Sequence, residues 1–153
     1  MSDTNRMFLL NERPSPSLTD TTLRFVDGKI PEPRPGQLLV RNMWLSLDPA
    51  NRSWMDERAT YLPAARLGTV MRGITVSRVL RAASNGFRSG DIVSCMGGWA
   101  DYAVVDALDA RPLPEGVEPS LALSVLGHVG LAAYFGLLDV GQPRRGDTVL
   151  VSA

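Results

Sequence analysis

Short hydrophobic runs, separated by turns rich in glycine and proline, fill the chain from its start to about residue 115. The clearest runs, each read as a strand, are Met7 to Leu10, Leu38 to Leu45, Ile74 to Leu80 and Trp99 to Val105. Proline cannot donate to a strand ladder, and the prolines concentrate where these runs end. Short strands broken by 14 glycines and 11 prolines are typical of a small β-barrel or sandwich.

One turn pattern occurs three times in the chain. Each copy has a glycine, a polar residue and then an apolar run rich in β-branched residues: Gly36-Gln37, Gly90-Asp91 and Gly146-Asp147. Because glycine accepts backbone conformations that other residues avoid, each copy predicts a turn that leads into a strand. The third copy leads into residues 148–153, which are apolar enough for a buried strand.

The composition changes near Pro119, after which leucine and alanine dominate up to Leu138. Pro119 suits the first turn of a helix, where its missing N–H costs no hydrogen bond. Two glycines, at 127 and 130, interrupt the helical pattern, so it predicts two helices. The second spans about Val129 to Asp139 and ends at Gly141, a natural left-handed cap. A helix followed by an apolar strand is how a parallel α/β layer begins.

Charge and hydropathy exclude several classes of protein. Lys and Arg number 16, as do Asp and Glu, whereas a nucleic-acid surface needs a basic excess. No apolar run approaches the roughly 20 residues that span a bilayer. The polar N-terminus lacks the features of a secretory signal, and a single cysteine allows no internal disulfide. We therefore expect a cytoplasmic protein that binds neither nucleic acid nor membrane.

Two residues with reactive side chains occur once each. His128 lies between two glycines, where it either bonds to backbone at a helix junction or lines a pocket. Cys95 lies on an apolar strand and is therefore expected in the core. No sequence feature lowers the pKa of its thiol, so the sequence does not favour a nucleophilic role. A zinc site needs three or four convergent ligands, so the sequence predicts no metal.

The densest polar segment is 45–55, which contains Asp48-Pro49 and Asn51-Arg52. Asp48 is favoured as the N-cap of a helix with Pro49 at its first position. Arg52 is expected to bind loop carbonyls or an anionic ligand. Tyr61, in a later loop, either orients a carbonyl substrate through its hydroxyl or simply holds the loop in place.

Several of these stretches together resemble the N-terminal part of a medium-chain dehydrogenase/reductase. More narrowly, they resemble the zinc-free NADP-dependent double-bond reductases, the group with leukotriene B4 12-hydroxydehydrogenase and the prostaglandin reductases. The matching stretches are 31–40, 45–49, 70–73, 90–93, 98–102 and 130–138, in order along nearly the whole chain. The resemblance implies a mainly β fold with short helices. Residues 1–118 would form a GroES-like β-barrel, and 119–153 the leading helix and first strand of a truncated Rossmann domain.

The resemblance also implies an activity and a set of site residues. The activity is NADPH-dependent reduction of the C=C bond of α,β-unsaturated ketones or aldehydes, without zinc. By position, Tyr61 matches a substrate-binding tyrosine, while Asp48, Asn51, His128 and Ala132 match segments beside the cofactor NADP(H). The chain departs from the family pattern at Ala50, at His128-Val129 and at Ala132, where many relatives have Tyr, Met-Pro and Thr. The resemblance assigns no catalytic residue to this chain.

Two alternatives remain open at this point. The chain is either the substrate-side domain of such an enzyme, inactive as it stands, or a stand-alone barrel that binds or assembles without catalysis. A metal-dependent alcohol dehydrogenase would need ligands from outside these residues. The apolar strand at 148–153 has no obvious partner, so we expect self-association through it.

Overall fold

The computed structural model describes residues 4–58 and 62–152, and their core is an antiparallel β-barrel. The strands are β1 (Thr4–Leu10), β2 (Leu23–Lys29), β3 (Gln37–Leu45), β4 (Thr75–Ala82), β5 (Ile92–Cys95), β6 (Tyr102–Asp106) and β7 (Arg111–Pro112). β1 and β2 form a hairpin, and the others form a sheet in the order β6-β3-β4-β5-β7. The predicted mainly β architecture is confirmed.

Strand β1 joins the hairpin to the larger sheet. Its Phe8 N–H donates to the carbonyl of Trp99 at 2.9 Å, and its Phe8 carbonyl accepts from Met71 N–H at 2.8 Å. Further along, the N–H of Asp101 donates to the carbonyl of Arg6 at 2.9 Å. These bonds pair β1 on the side away from β2, so that backbone groups on both sides of the strand have partners.

Helices follow the barrel strands at two places in the chain. Helix α1 (Pro49–Met55) comes after β3, and helix α2 (His128–Phe135) comes after a 3₁₀ turn at Pro119–Leu123. Helix α2 continues into a π-helical stretch at Gly136–Gly141. The predicted helical connector is therefore present, with Pro119 in the first turn of its first segment.

Apolar side chains are buried in two groups among the described residues. One fills the barrel between β3, β4, β5 and β6, and its members are Leu38, Val40, Val79, Val93, Cys95, Val105 and Ala110. The other lies beneath α1, and its members are Leu10, Trp54, Met55, Ala65 and Met71. The second group fixes α1 on the barrel, and α1 carries the predicted site residues Asp48 and Asn51 at its start.

The repeated turn pattern has one geometry in all three places. Gly36, Gly90 and Gly146 have φ values of +86°, +100° and +99°, which only glycine adopts easily. In each copy the side chain after the glycine accepts a hydrogen bond from the N–H three residues earlier. The distances are 3.1 Å for Gln37 and 2.7 Å for the two aspartates. The turn prediction is therefore confirmed.

The structure differs from the sequence predictions in three details. β2 was not predicted, because its polar residues obscure the alternation. The left-handed residue at the end of the connector is Gln142, with φ +46°, and not Gly141, because the π-helical stretch extends the helix through Gly141. Residues 148–152 form no strand and are exposed, because the described part of the chain gives them no neighbouring strand to pair with.

Candidate functional site

The chain reverses direction where β3 ends, and this reversal creates the first half of the candidate site. The N–H of Ser46 donates to the carbonyl of Ile74 at 2.9 Å, which extends the pairing of β3 with β4. The chain then leaves the sheet at Asp48, whose extended backbone is the N-cap of α1. Pro49 occupies the first helical turn, as the Asp-Pro sequence predicted.

Asn51 secures this reversal from inside the protein. Its side-chain Oδ1 accepts from the N–H of Asp48 at 3.3 Å, and its Nδ2 donates to the carbonyl of Ser46 at 3.4 Å. Only 5% of Asn51 is exposed. The amide therefore binds the backbone on either side of Leu47 and holds Asp48 at the start of α1.

The carboxylate of Asp48 meets the imidazole of His128. The distance from Asp48 Oδ2 to His128 Nε2 is 3.8 Å, although the two residues are 80 positions apart. The Asp48 side chain is 12% exposed and that of His128 is 47% exposed. The structure thus places two predicted cofactor-side residues together, at the contact between α1 and the start of α2.

Two glycines, Gly127 at the N-cap of α2 and Gly130 in its first turn, allow the backbone here to fold tightly enough for this contact. A Cβ on Gly127 would lie within 2.5 Å of the carbonyl oxygen of Ala122. A Cβ on Gly130 would overlap the carbonyl oxygen of Val125. The residues around His128 are therefore set by close backbone packing, which only glycine permits here.

Beside His128 lies a cleft of about 650 Å³ between the barrel and the connector. This volume is in the range of small-molecule sites. Its walls are mainly apolar, and the residues that face it include Ile74, Ser94, Arg111, Val117, Leu126, His128 and Leu131. The sequence did not predict the contributions of β5 and β7, because Ser94 and Arg111 belong to no motif and only the barrel closure brings them here.

The other predicted site residues lie in different surroundings. Ala132 is exposed on α2, four residues after His128. Tyr61 lies outside the described residues, so its predicted role as a substrate-binding group stays a prediction. Arg52 binds Asp56 Oδ1 at 2.5 Å and donates to the carbonyl of Pro16 at 2.9 Å. Of the two kinds of partner predicted for Arg52, a loop carbonyl or an anionic ligand, the structure shows a loop carbonyl.

Cys95 lies in the barrel core, as predicted. Its thiol is within 3.5 Å of Thr75 Oγ1, and burial raises its pKa. A thiol of this kind is a poor nucleophile, because the thiolate is the reactive form.

A hydrogen-bond network around Asn42 holds the backbone that follows Cys95. Asn42 Nδ2 donates to the carbonyls of Gly97, Gly98 and Ala100 at 2.7 to 3.2 Å, and its Oδ1 accepts from Ser77 Oγ at 2.7 Å. This network fixes the segment that carries Trp99 against the residues beneath α1.

Among the described residues, the site offers a mainly apolar surface and no cluster of metal ligands. Within 4–58 and 62–152, no three His, Cys, Asp or Glu side chains come together as metal ligands. The cleft instead combines mainly apolar walls with the imidazole of His128, which Asp48 approaches to 3.8 Å. The same residues contain no helix long and apolar enough to cross a membrane.

The sequence of residues 6–113 matches the family described as the N-terminal domain of oxidoreductases. The chain is 39% identical over 150 residues to the NADPH-dependent curcumin reductase of Escherichia coli, covering 97% of this chain and 44% of that protein. It is 31% identical over 142 residues to the NADP(+)-dependent 2-alkenal reductase of Nicotiana tabacum, covering 90% of this chain and 41% of that protein.

A solved structure is similar in fold as well as in sequence. CurA from Vibrio vulnificus in complex with NADPH superimposes with a TM-score of 0.84 at 36% identity, covering 93% of this chain and 42% of that one. The chain thus spans less than half the length of the relatives that it matches. The family match covers more than half of the chain. The chain therefore belongs to the oxidoreductase N-terminal domain family, and its resemblance to the medium-chain dehydrogenase/reductases is confirmed.

Proposed function

We propose that the protein containing this chain reduces the C=C bond of α,β-unsaturated ketones or aldehydes with NADPH. The observation that carries the proposal is the 39% identity to an NADPH-dependent curcumin reductase across 97% of the chain. The 2-alkenal reductase among its relatives supports the same substrate class. The apolar cleft beside His128 suits a small enone or enal, whose only polar group is a carbonyl.

In this proposal the chain supplies the substrate side of the active site. Bound NADPH supplies a hydride to the β-carbon of the substrate. Asp48, His128 and Ala132 lie beside the nicotinamide, and Asn51 acts on it only through the backbone of Asp48, since its side chain is turned inward. Apolar cleft walls exclude water, and hydrogen-bond donors stabilise the charge that develops on the carbonyl oxygen. Tyr61 is proposed to help bind the substrate.

The chain by itself is proposed to be inactive. Hydride transfer requires the donor and acceptor carbons to be held at about 3 to 3.5 Å. The described residues contain no glycine-rich phosphate-binding turn after a parallel strand, which is the usual means of fixing a dinucleotide. The parts of the relatives that this chain does not span are proposed to hold most of the cofactor.

In the test, this chain and the complete protein are each mixed with NADPH and a small acyclic enone, and their activities are compared. Nicotinamide absorbance is followed and products are separated by gas chromatography. We expect the complete protein to form one saturated ketone per NADPH, and the chain alone to form none. The matching saturated ketone, which has no C=C bond, is the control and should consume no NADPH.

Three results would contradict parts of this account. An allylic alcohol as product would overturn the assignment to C=C reduction. Sustained turnover by the chain alone would overturn its proposed inactivity. A complete protein that neither binds NADPH nor consumes it would favour the alternative, a barrel that binds or assembles without catalysis.

A further inference from the structure

We propose that Arg111 and Ser94 form a carboxylate-binding subsite in the cleft, so that the preferred substrates are enones that carry a carboxylate in addition to the carbonyl. The inference rests on the proposed function and names its substrate class more narrowly. Both residues line the cleft. An enone with no other polar group leaves the charge of Arg111 without a role in substrate binding.

Strand pairing places the two side chains on one face of the sheet. Ser94 on β5 lies directly opposite Arg111 on β7 in an antiparallel pair. Side chains of such a pair share a face, with their Cβ atoms about 4.5 to 5.5 Å apart. The neighbours of Ser94 along β5, Val93 and Cys95, are buried in the barrel core. Alternation along the strand therefore turns Ser94 outward, towards the cleft, and Arg111 with it.

Both side chains have hydrogen-bond donors to offer a ligand. Among the described residues, the guanidinium of Arg111 makes no ion pair or hydrogen bond, and the hydroxyl of Ser94 makes no hydrogen bond. A guanidinium is a permanent cation whose planar fork of N–H groups matches the two oxygens of a carboxylate. The adjacent hydroxyl supplies one further donor to the same group.

The charges around the cleft favour an anionic ligand. No Asp or Glu lines the described part of its wall, so Arg111 has no counter-charge there. Asp109 lies in the turn before β7, and the carboxylate of Glu118 caps the 3₁₀ turn after it, but neither lines the cleft. The carboxylate of Asp48 approaches His128 and not Arg111. A mainly apolar cleft with one unpaired cation suits a molecule with an apolar body and a single carboxylate.

The first experiment compares two substrates that differ only in charge. The complete protein reduces (E)-9-oxodec-7-enoic acid or its methyl ester with NADPH, and kcat/KM is measured for each. Because Arg111 is exposed and water screens its charge, the effect is expected to be moderate. The ratio of acid to ester should fall by about tenfold in Arg111→Gln, the size of one hydrogen bond to a charged group. The ester should be reduced equally well by both proteins, which shows that the variant is folded.

Three further variants separate the charge from the fork and from the fold. Arg111→Lys keeps the charge but loses the planar fork, so it should keep part of the preference for the acid. Ser94→Ala loses one neutral donor and should lower the preference less than Arg111→Gln does. Arg24→Gln is the matched control, because Arg24 is an exposed strand arginine that does not line the cleft. It should keep the wild-type ratio.

The second experiment measures binding without turnover. The complete protein with NADP⁺ is titrated by calorimetry with the saturated 9-oxodecanoic acid and with its methyl ester. We expect the wild type to bind the acid about tenfold more tightly than the ester. Arg111→Gln should bind the two with equal affinity.

The outcomes separate this inference from the proposed function. An acid-to-ester ratio that is the same in the wild type and in Arg111→Gln overturns the subsite. An Arg111→Gln variant that binds NADPH more weakly and reduces both substrates equally slowly assigns Arg111 to the cofactor, and it overturns the subsite as well. Acid binding that depends on Arg111, without reduction of either enone, supports the subsite and overturns the proposed function.

Discussion

The N–H of Asp48 donates to Oδ1 of Asn51, and this bond joins the N-cap of α1 to the third residue of the helix. Asn51 is buried, while the carboxylate of Asp48 lies 3.8 Å from the imidazole of His128. One of the two residues therefore holds the other in position. The resemblance that grouped them as cofactor-side residues did not distinguish these two roles.

Asn51→Ala should destabilise the protein, because it leaves the N–H of Asp48 and the carbonyl of Ser46 without their side-chain partner. The expected loss is about 1 to 3 kcal/mol of unfolding free energy, measured by urea denaturation. Ser53→Ala on the same helix is the control and should change stability by less than about 0.5 kcal/mol, the usual size for a substitution away from buried networks. Equal losses for the two variants would contradict this account of Asn51.

Gly130 and Gly136 form a matched pair for testing the tight backbone at the start of α2. Gly130→Ala should destabilise the protein by more than about 1 kcal/mol, the size of an overpacking defect, because the new Cβ overlaps the carbonyl of Val125. At Gly136 a Cβ meets nothing within 4 Å among the described residues, and the backbone is helical with φ −60°. Gly136→Ala should therefore be neutral or stabilising by up to about 1 kcal/mol. Thermal unfolding of both variants decides the matter, and a reversed order would contradict the packing described here.

Cys95 makes stability depend on alkaline pH. Burial raises the pKa of its thiol in the folded state, so the folded protein holds this proton more tightly than the unfolded chain. The stabilising effect is complete below the unfolded pKa of about 8.5 and is lost as the pH rises above it towards the raised folded value. The unfolding free energy of wild type should therefore fall relative to that of Cys95→Ala across this alkaline window. Parallel curves for the two proteins would show that the thiol does not titrate differently in the two states.

The apolar segment at 149–151 should make this chain self-associate. Leu150 is 93% exposed and Val151 is 85% exposed, and the described residues offer them no strand to pair with. Apolar extended segments with open edges pair readily with other chains. We expect the sedimentation coefficient of the chain to rise with concentration, and the double variant Leu150→Lys, Val151→Lys to reduce this rise. A wild-type chain that stays monomeric at high concentration would count against the expectation.

The features that were predicted correctly are those that a few consecutive residues determine. Gly36 and Gly90 mark turns because glycine adopts positive φ far more easily than other residues, and Asp48-Pro49 marks the start of α1 because proline suits the first helical turn. The barrel core position of Cys95 followed from its apolar neighbours. Each of these features depends on a few consecutive residues.

The features that were missed depend on long-range packing. The approach of His128 to Asp48 is set by how the connector folds back on the barrel, and neither residue carries a local sign of it. Ser94 and Arg111 reach the cleft because β5 pairs with β7, a pairing too short to be visible in the sequence. β2 was missed because a strand with many polar residues resembles a loop when it is considered without its partner β1.

The central claim is that Asp48, His128 and Ala132 lie beside the nicotinamide of bound NADPH in the complete protein. Amide hydrogen exchange with and without NADPH tests it directly. The account predicts increased protection at residues 48–51 and 128–132, and no change in the turn at 84–90, which forms no part of the cleft. Protection that is confined to other parts of the protein, with 48–51 and 128–132 unchanged, would contradict it.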